Sequence, residues 1–299
     1  MFAIAALVVA ALAGPPAAQD RPARPPQTDQ TIPVTRGTRL RVNNFAGEVI
    51  LHTWDKDSLR VQARHQSSAR VNIRTTDGIT ITASSAKGPI GSVDYDITAP
   101  AWMAMRIEGQ FNFTTIEGVQ SEVSVETVRG DIVIKGGTGA VSAKSIEGLI
   151  TVEGARGKIN VSTVNEGIKI TGSSGDIVAE TTNGDITLTS IQSSSVDVNT
   201  VNGSIVYDGT TNDKGSYRFA THNGNITLAV PENANITFSV RTYQGGFSNS
   251  LSALKGPPWR EARGGKRITY TLGTGSADVE AESFGGAIRL RVAGTIRTK

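Results

Sequence analysis

Asp131, Asp176 and Asp185 each directly follow a glycine. Paired carboxylates cleave glycosidic bonds, one acting as acid and the other as base or nucleophile, when they lie about 5–10 Å apart. Asp131 and Asp185 occupy the same place in a repeated string, three copies apart. At the spacing of stacked strands that is roughly 14 Å, too far for one shared bond. Asp176 belongs to a different series of strands, and an Asp after Gly is a routine turn residue. The three aspartates therefore read as turn chemistry.

The three histidines are His52, His65 and His222. His222 sits in "THNG", in a slot held by Thr182 and Val201 in neighbouring copies, which is poor company for a designed base. A metal needs convergent ligands, and His52 and His65 lie far from His222 in the chain. No G-x-S-x-G nucleophile elbow occurs. "GGTGAVSA" (136–143) has Ala140 and Val141 where a calcium-binding nonapeptide would carry its Asp. Its G-x-G lies between strands with no helix to follow, so it is no dinucleotide loop. The chain has no cysteine, which removes disulfides, thiolate chemistry and a lipoprotein anchor. No catalytic residue, no metal site and no cofactor is implied.

The candidate residues are embedded in a repeat. "TVRGDIVI" (127–134), "SIEGLITV" (145–152), "TVNEGIKI" (163–170), "TTNGDITL" (181–188), "TVNGSIVY" (200–207) and "THNGNITL" (221–228) are versions of one unit. The first apolar residues after the turn are Ile132, Ile150, Ile168, Ile186, Ile205, Ile226 and Phe247, at intervals of 18, 18, 18, 19, 21 and 21. A second series, Val123, Val141, Ile159, Ile177, Val196 and Tyr217, keeps the same intervals nine residues earlier. Fixed-period self-similarity marks a solenoid. Apolar and polar residues alternate within each unit, as in "GDITLT" (184–189), so the units are strands. A unit this small cannot bury its apolar side alone and must stack. Stacking puts Ile132, Ile150, Ile168 and Ile186 above one another, with room for nine or ten rungs, roughly 45 Å, between Met105 and Leu290.

Polar positions repeat as well. Thr127, Ser145, Thr163, Thr181, Thr200, Thr221 and Thr242 form one ladder; Asn165, Asn183, Asn202 and Asn223, extended as Gln244, form another. Stacked hydroxyl and amide side chains at turns bond along the stack and to freed backbone groups. The ladders are read as architecture and not as a ligand face.

The opening "RLRVNNFAGEVIL", the entry "APAWMAMRIEG" and the T-x-N-G-x-I turns together resemble the bacterial putative-adhesin β-strand-repeat family, an exported family grouped as a domain of unknown function. The resemblance spans about residues 31–296. It implies one right-handed β-solenoid (parallel β-helix-like) with 18–21 residues per rung and an exported location, and it implies no catalytic residues.

The flanks complete the expected organisation. "FAIAALVVAALAG" (2–14) reads as the core of a signal peptide over 1–19, with cleavage near Ala18 or Gln19. Residues 20–30 read as a disordered linker, and 31–299 as the solenoid domain. Within it a β cap covers about 31–100 and rungs about 101–296. No other apolar stretch is long enough to span a bilayer. The formal charge of +3, from 30 basic and 27 acidic residues, gives no concentrated basic face for nucleic acid. "LKGPPWREARGGKR" (254–267) breaks the repeat as a loop, and its Trp259, Arg260, Arg263, Lys266 and Arg267 form a candidate interaction site. A solenoid's insertions often carry its binding role.

The sequence thus describes an exported, non-catalytic adhesin-like scaffold at the cell surface or in the periplasm, with an envelope polysaccharide or another envelope protein as partner. Two rivals share the fold: a polysaccharide lyase or hydrolase, which would need a groove with paired carboxylates, and a component of envelope assembly or signalling.

Overall fold

The computed structural model describes residues 25–258 and 265–294. Among them run 22 strands and no helix. The expected signal peptide lies outside the described residues.

The N-terminal part comprises β1 (Thr28–Pro33), β2 (Arg39–Trp54), β3 (Ser58–His65), β4 (Ala69–Arg74), β5 (Ile79–Ser85), β6 (Val93–Pro100) and β7 (Ala104–Glu117). The regular stretch holds β8 (Val123–Arg129), β9 (Ile132–Lys135), β10 (Val141–Glu147), β11 (Ile150–Glu153), β12 (Ile159–Ser162), β13 (Ile168–Thr171) and β14 (Ile177–Asn183). The rungs lengthen in β15 (Ile186–Asn202), β16 (Ile205–Asn223) and β17 (Ile226–Val230). The chain closes with β18 (Ile236–Thr242), β19 (Phe247–Asn249), β20 (Ile268–Leu272), β21 (Ala277–Ser283) and β22 (Ile288–Val292).

Two parallel ladders rise side by side. In one, Val123, Val141, Ile159 and Ile177 pair in succession. In the other, Ile132, Ile150, Ile168 and Ile186 do the same, as the 18-residue spacing predicts. Their side chains are fully buried between the ladders, and each contributes about 1.5–3 kcal/mol by leaving water.

The corner joining the ladders is held by the hydroxyl ladder. Thr163 donates to the Gly148 carbonyl at 3.2 Å, Thr181 to Glu166 at 2.9 Å, Thr200 to Gly184 at 3.1 Å and Thr221 to Gly203 at 2.9 Å. Each hydroxyl satisfies a turn carbonyl of the rung before it, and all are buried. A buried acceptor left without its donor costs free energy. Thr200→Val, similar in shape, should therefore lower stability by about 1–2 kcal/mol, read as a lower melting temperature; an unchanged melt would remove this role from the ladder.

The order of rungs in space departs from the order in sequence at both ends. β2 is a full rung, not part of a cap: it pairs parallel to β7 on one side and to β5 and β6 on the other. It joins the stack because its alternation, buried at Leu40, Val42, Val49 and Leu51, matches that of the later rungs. At the other end β21 and β22 slot between β16/β17 and β18/β19. Ile288, not Phe247, therefore sits next to Ile226. The last sequence interval of 21 connects rungs that are not neighbours. For the same reason Gln244 does not extend the Asn ladder, since the Phe284–Gly285 turn lies between it and Asn223.

Antiparallel strands cover both ends. β3 lies against β6 and β1 against β3, β4 lies against β5, and β20 lies against β18. Such covers block end-to-end strand pairing. Part of the expected linker belongs here: Thr28, Asp29 and Gln30 are already in β1, where Asp29 is bound by Arg60 Nε at 3.0 Å and Gln62 Nε2 at 3.1 Å.

Candidate interaction surface

One residue past the buried Thr or Ser of each rung, or past Asn44 and Gly109 at the same place in the first two, the corner turns outward. Down the stack these residues are Phe45, Gln110, Val128, Ile146, Val164, Thr182, Val201, His222, Phe284 and Tyr243. Phe45, Val128, Ile146, Val164, Val201, Phe284 and Tyr243 each leave between 37 and 46% of their surface open. Isolated exposed apolar residues are ordinary, but seven at ten successive corner positions are not.

Aromatic rings gather at both ends of the row. Phe45 meets Phe111 edge to face at 5.9 Å. His222 stacks on Phe284 at 4.7 Å with the planes 5° apart, and Tyr243 lies 5.1 Å from Phe284. The Arg241 guanidinium stands 4.9 Å from the Tyr243 ring centroid.

Polar rows flank this edge. On the first-ladder side lie Glu108, Glu126, Lys144, Ser162 and Glu180. Across the edge lie Arg129 and Glu147, joined at 2.6 Å, followed by the Asn ladder. Asn183 donates to Asn165 at 3.0 Å, Asn202 to Asn183 at 2.8 Å and Asn223 to Asn202 at 2.9 Å. A depression of about 460 Å³ lies beside Val128 and Ile146, lined by Glu108, Glu126, Lys144 and Ser162. Another of about 430 Å³ lies at the Phe45 end, beside Ile90 and Gln110.

Several of the groups that could do chemistry are occupied elsewhere. Asp131 accepts the Leu149 N–H at 2.9 Å, and Asp185 accepts the Ser204 N–H at 2.7 Å. Each caps the turn of the following rung. Glu117 accepts from Lys135 at 3.0 Å and lies 3.3 Å from His52; the Lys135 hydrogen bond, then its charge, holds the Glu117 carboxyl below its ordinary range. Burial pushes the Tyr207 and Tyr217 hydroxyls above theirs. Both are spent on structure, Tyr207 donating to the Thr210 carbonyl at 2.7 Å and Tyr217 to that of Ser193 at 2.5 Å. Among the described residues no three His, Cys, Asp or Glu side chains gather as metal ligands would.

Of the loop residues singled out from the sequence, Trp259, Arg260 and Arg263 lie outside the described residues. Lys266 is exposed, while Arg267 forms an ion pair with Glu280. The loop is anchored where it leaves and where it returns. Lys255 and Thr271 exchange backbone hydrogen bonds of 2.9 and 2.7 Å, and Arg241 donates to the Gly265 carbonyl at 3.0 Å. Gly265 packs against the Tyr243 ring, so the loop returns over one end of the exposed row.

The row itself was hidden in the sequence by its variability. Its signal is the apolar residue before the Arg, Glu or Asn of the turn: Val128, Ile146, Val164 and Val201. Strand alternation does not account for it, because it lies where the alternation breaks.

A family model described as Toastrack DUF4097 matches residues 31–291. No curated protein matches the chain. A solved structure titled as a putative cell adhesion protein from Clostridium sporogenes ATCC 15579 aligns over 88% of this chain and 98% of that one, at 9% identity and a TM-score of 0.21. At that score the likeness carries neither fold nor function across.

Proposed function

The chain belongs to the Toastrack DUF4097 family, and from that premise and the geometry of its corner we propose that it is an exported, non-catalytic scaffold acting by surface contact at the cell envelope. One observation carries the reading: the hydroxyl ladder is turned inward to hold the tube together, while a largely apolar edge runs outward along it. A catalytic solenoid would show the reverse, with convergent polar groups in a groove. The edge is long, shallow and straight, which suits a macromolecular surface better than a small substrate.

The proposal includes the loop. Its Trp259, Arg260, Arg263 and Lys266 would add attachment to an acidic envelope polymer, with Trp259 offering a flat ring and the cations offering charge. Arg267 contributes less, being paired with Glu280.

The test uses two variants of the full chain. Ile146→Asp places a charge on the outward edge, where no core contact is lost, and should leave the melting temperature within about 2 °C while lowering retention on isolated cell envelopes. Deleting residues 259–264 should lower retention further, with the larger effect at low salt, where screening is least. Retention unchanged in both variants would overturn the reading.

A further inference from the structure

We propose that the occupant of the exposed corner is a second copy of this chain, related by a two-fold axis parallel to the solenoid, so that two rods lie side by side pointing the same way. The inference rests on reading the corner as a contact surface, and it names the partner.

The charge pattern decides the direction. On one rung Glu126 and Arg129 stand on opposite sides of Val128; on the next, Lys144 and Glu147 stand on opposite sides of Ile146. The signs are thus minus and plus, then plus and minus. A two-fold axis along the rod brings each flank against the other flank of its copy at the same height. Glu126 then meets Arg129, and Lys144 meets Glu147, twice over by symmetry. Because Arg129 and Glu147 are already joined within the chain, each set becomes a four-charge network of alternating sign. Networks contribute where isolated surface pairs do not. The rungs that follow place Ser162 against Asn165, Glu180 against Asn183 and Asn199 against Asn202, with no like charges facing and each pair able to hydrogen-bond.

The opposite orientation fits worse. An antiparallel pair centred on the row sets each flank against itself, with Glu108 facing Glu282 and Lys144 facing the uncharged Asn199. Like charges across an interface weaken association.

Size and exclusion agree. The row runs ten rungs, roughly 45 Å. With its flanks it offers on the order of 800 Å² per partner, the usual requirement of a stable pair. The covers on both ends of the stack leave the side of the rod as the route for self-association.

The chain's lack of cysteine makes the arrangement directly testable. In a parallel pair residue 146 faces its own counterpart, so Ile146→Cys should give a disulfide-linked dimer under mild oxidation. An antiparallel pair would separate the two positions by more than a disulfide can reach. By sedimentation of the full chain at low salt, Glu126→Lys with Lys144→Glu, which keeps the net charge, should weaken the dimer at least tenfold. Adding Arg129→Glu and Glu147→Lys reverses the facing row as well and should restore it, which separates lost pairing from lost folding.

A chain that stays monomeric at hundreds of micromolar, or a dimer indifferent to the double reversal, overturns the proposal. If the chain is monomeric yet Ile146→Asp still loses envelope retention, the corner has a different occupant and only the dimer fails. If Ile146→Cys cross-links while Ile146→Asp and the 259–264 deletion both keep full retention, the dimer stands and the envelope-contact reading fails.

Discussion

Ile168→Asp should be the most damaging single substitution in the middle of the solenoid. Ile168 is fully buried and in register with Ile150 before it and Ile186 after it. A carboxylate there has no partner within the aliphatic column, and it must stay charged at great cost or take up a proton. Either way the loss is about 4 kcal/mol or more, comparable with the whole stability of many domains. Lys169→Ala, one residue along and exposed, should change stability by less than about 0.5 kcal/mol. Thermal melts followed by circular dichroism compare the two directly. Equal losses would mean that the inner and outer faces are wrongly assigned.

A second large effect is expected at Gly203. The hydroxyl ladder and the turn glycines share one column, so Gly148, Gly203, Gly224, Gly286 and Gly245 each lie against the carbonyl of a glycine on the adjacent rung. A β-carbon on Gly203 would collide with the Gly184 carbonyl oxygen, and one on Gly224 with that of Gly203. Backbone cannot give way there without pulling Thr200 and Thr221 from those same oxygens. Gly203→Ala should cost on the order of 3 kcal/mol by overpacking. Gly154 supplies the control: its φ is +66° but nothing lies within 4 Å of an added carbon. Gly154→Ala should cost about 1 kcal/mol of backbone strain alone. If Gly154→Ala proves as harmful as Gly203→Ala, φ and not close stacking governs these turns.

The sequence was most informative where periodicity and chemistry coincide. The Ile132 to Ile186 column could be read directly, because an 18-residue interval and strand alternation both place those residues inside. Asp131 and Asp185 could also be read as turn residues, and the Leu149 and Ser204 N–H groups that they bind give that reading its physical basis. The ends were not legible. Nothing local distinguishes a strand that stacks on its predecessor from one that stacks two rungs away, since Ile226 presents the same apolar face to Ile288 as it would to Phe247. Nor was the corner row legible, because its residues face water and vary freely between Val, Ile, Thr, His and Phe. Only the fold shows that they line up.

The interleaved ends bear on how the molecule would respond to tension. A solenoid built in simple chain order can be pulled apart from either end, one rung after another, each release breaking a single interface. Here a pull on the N-terminal side first frees β1 and then reaches β2, which is hydrogen-bonded to β7 on one side and to β5 and β6 on the other. A pull on the C-terminal side reaches β22 held between β17 and β19, and then β21 held between β16 and β18. Neither end can be unzipped; each must slide out of two ladders at once, with the hydrogen bonds loaded together along the strand. The rod is latched at both ends against stretching, as a component carrying load between two attachment points would need to be.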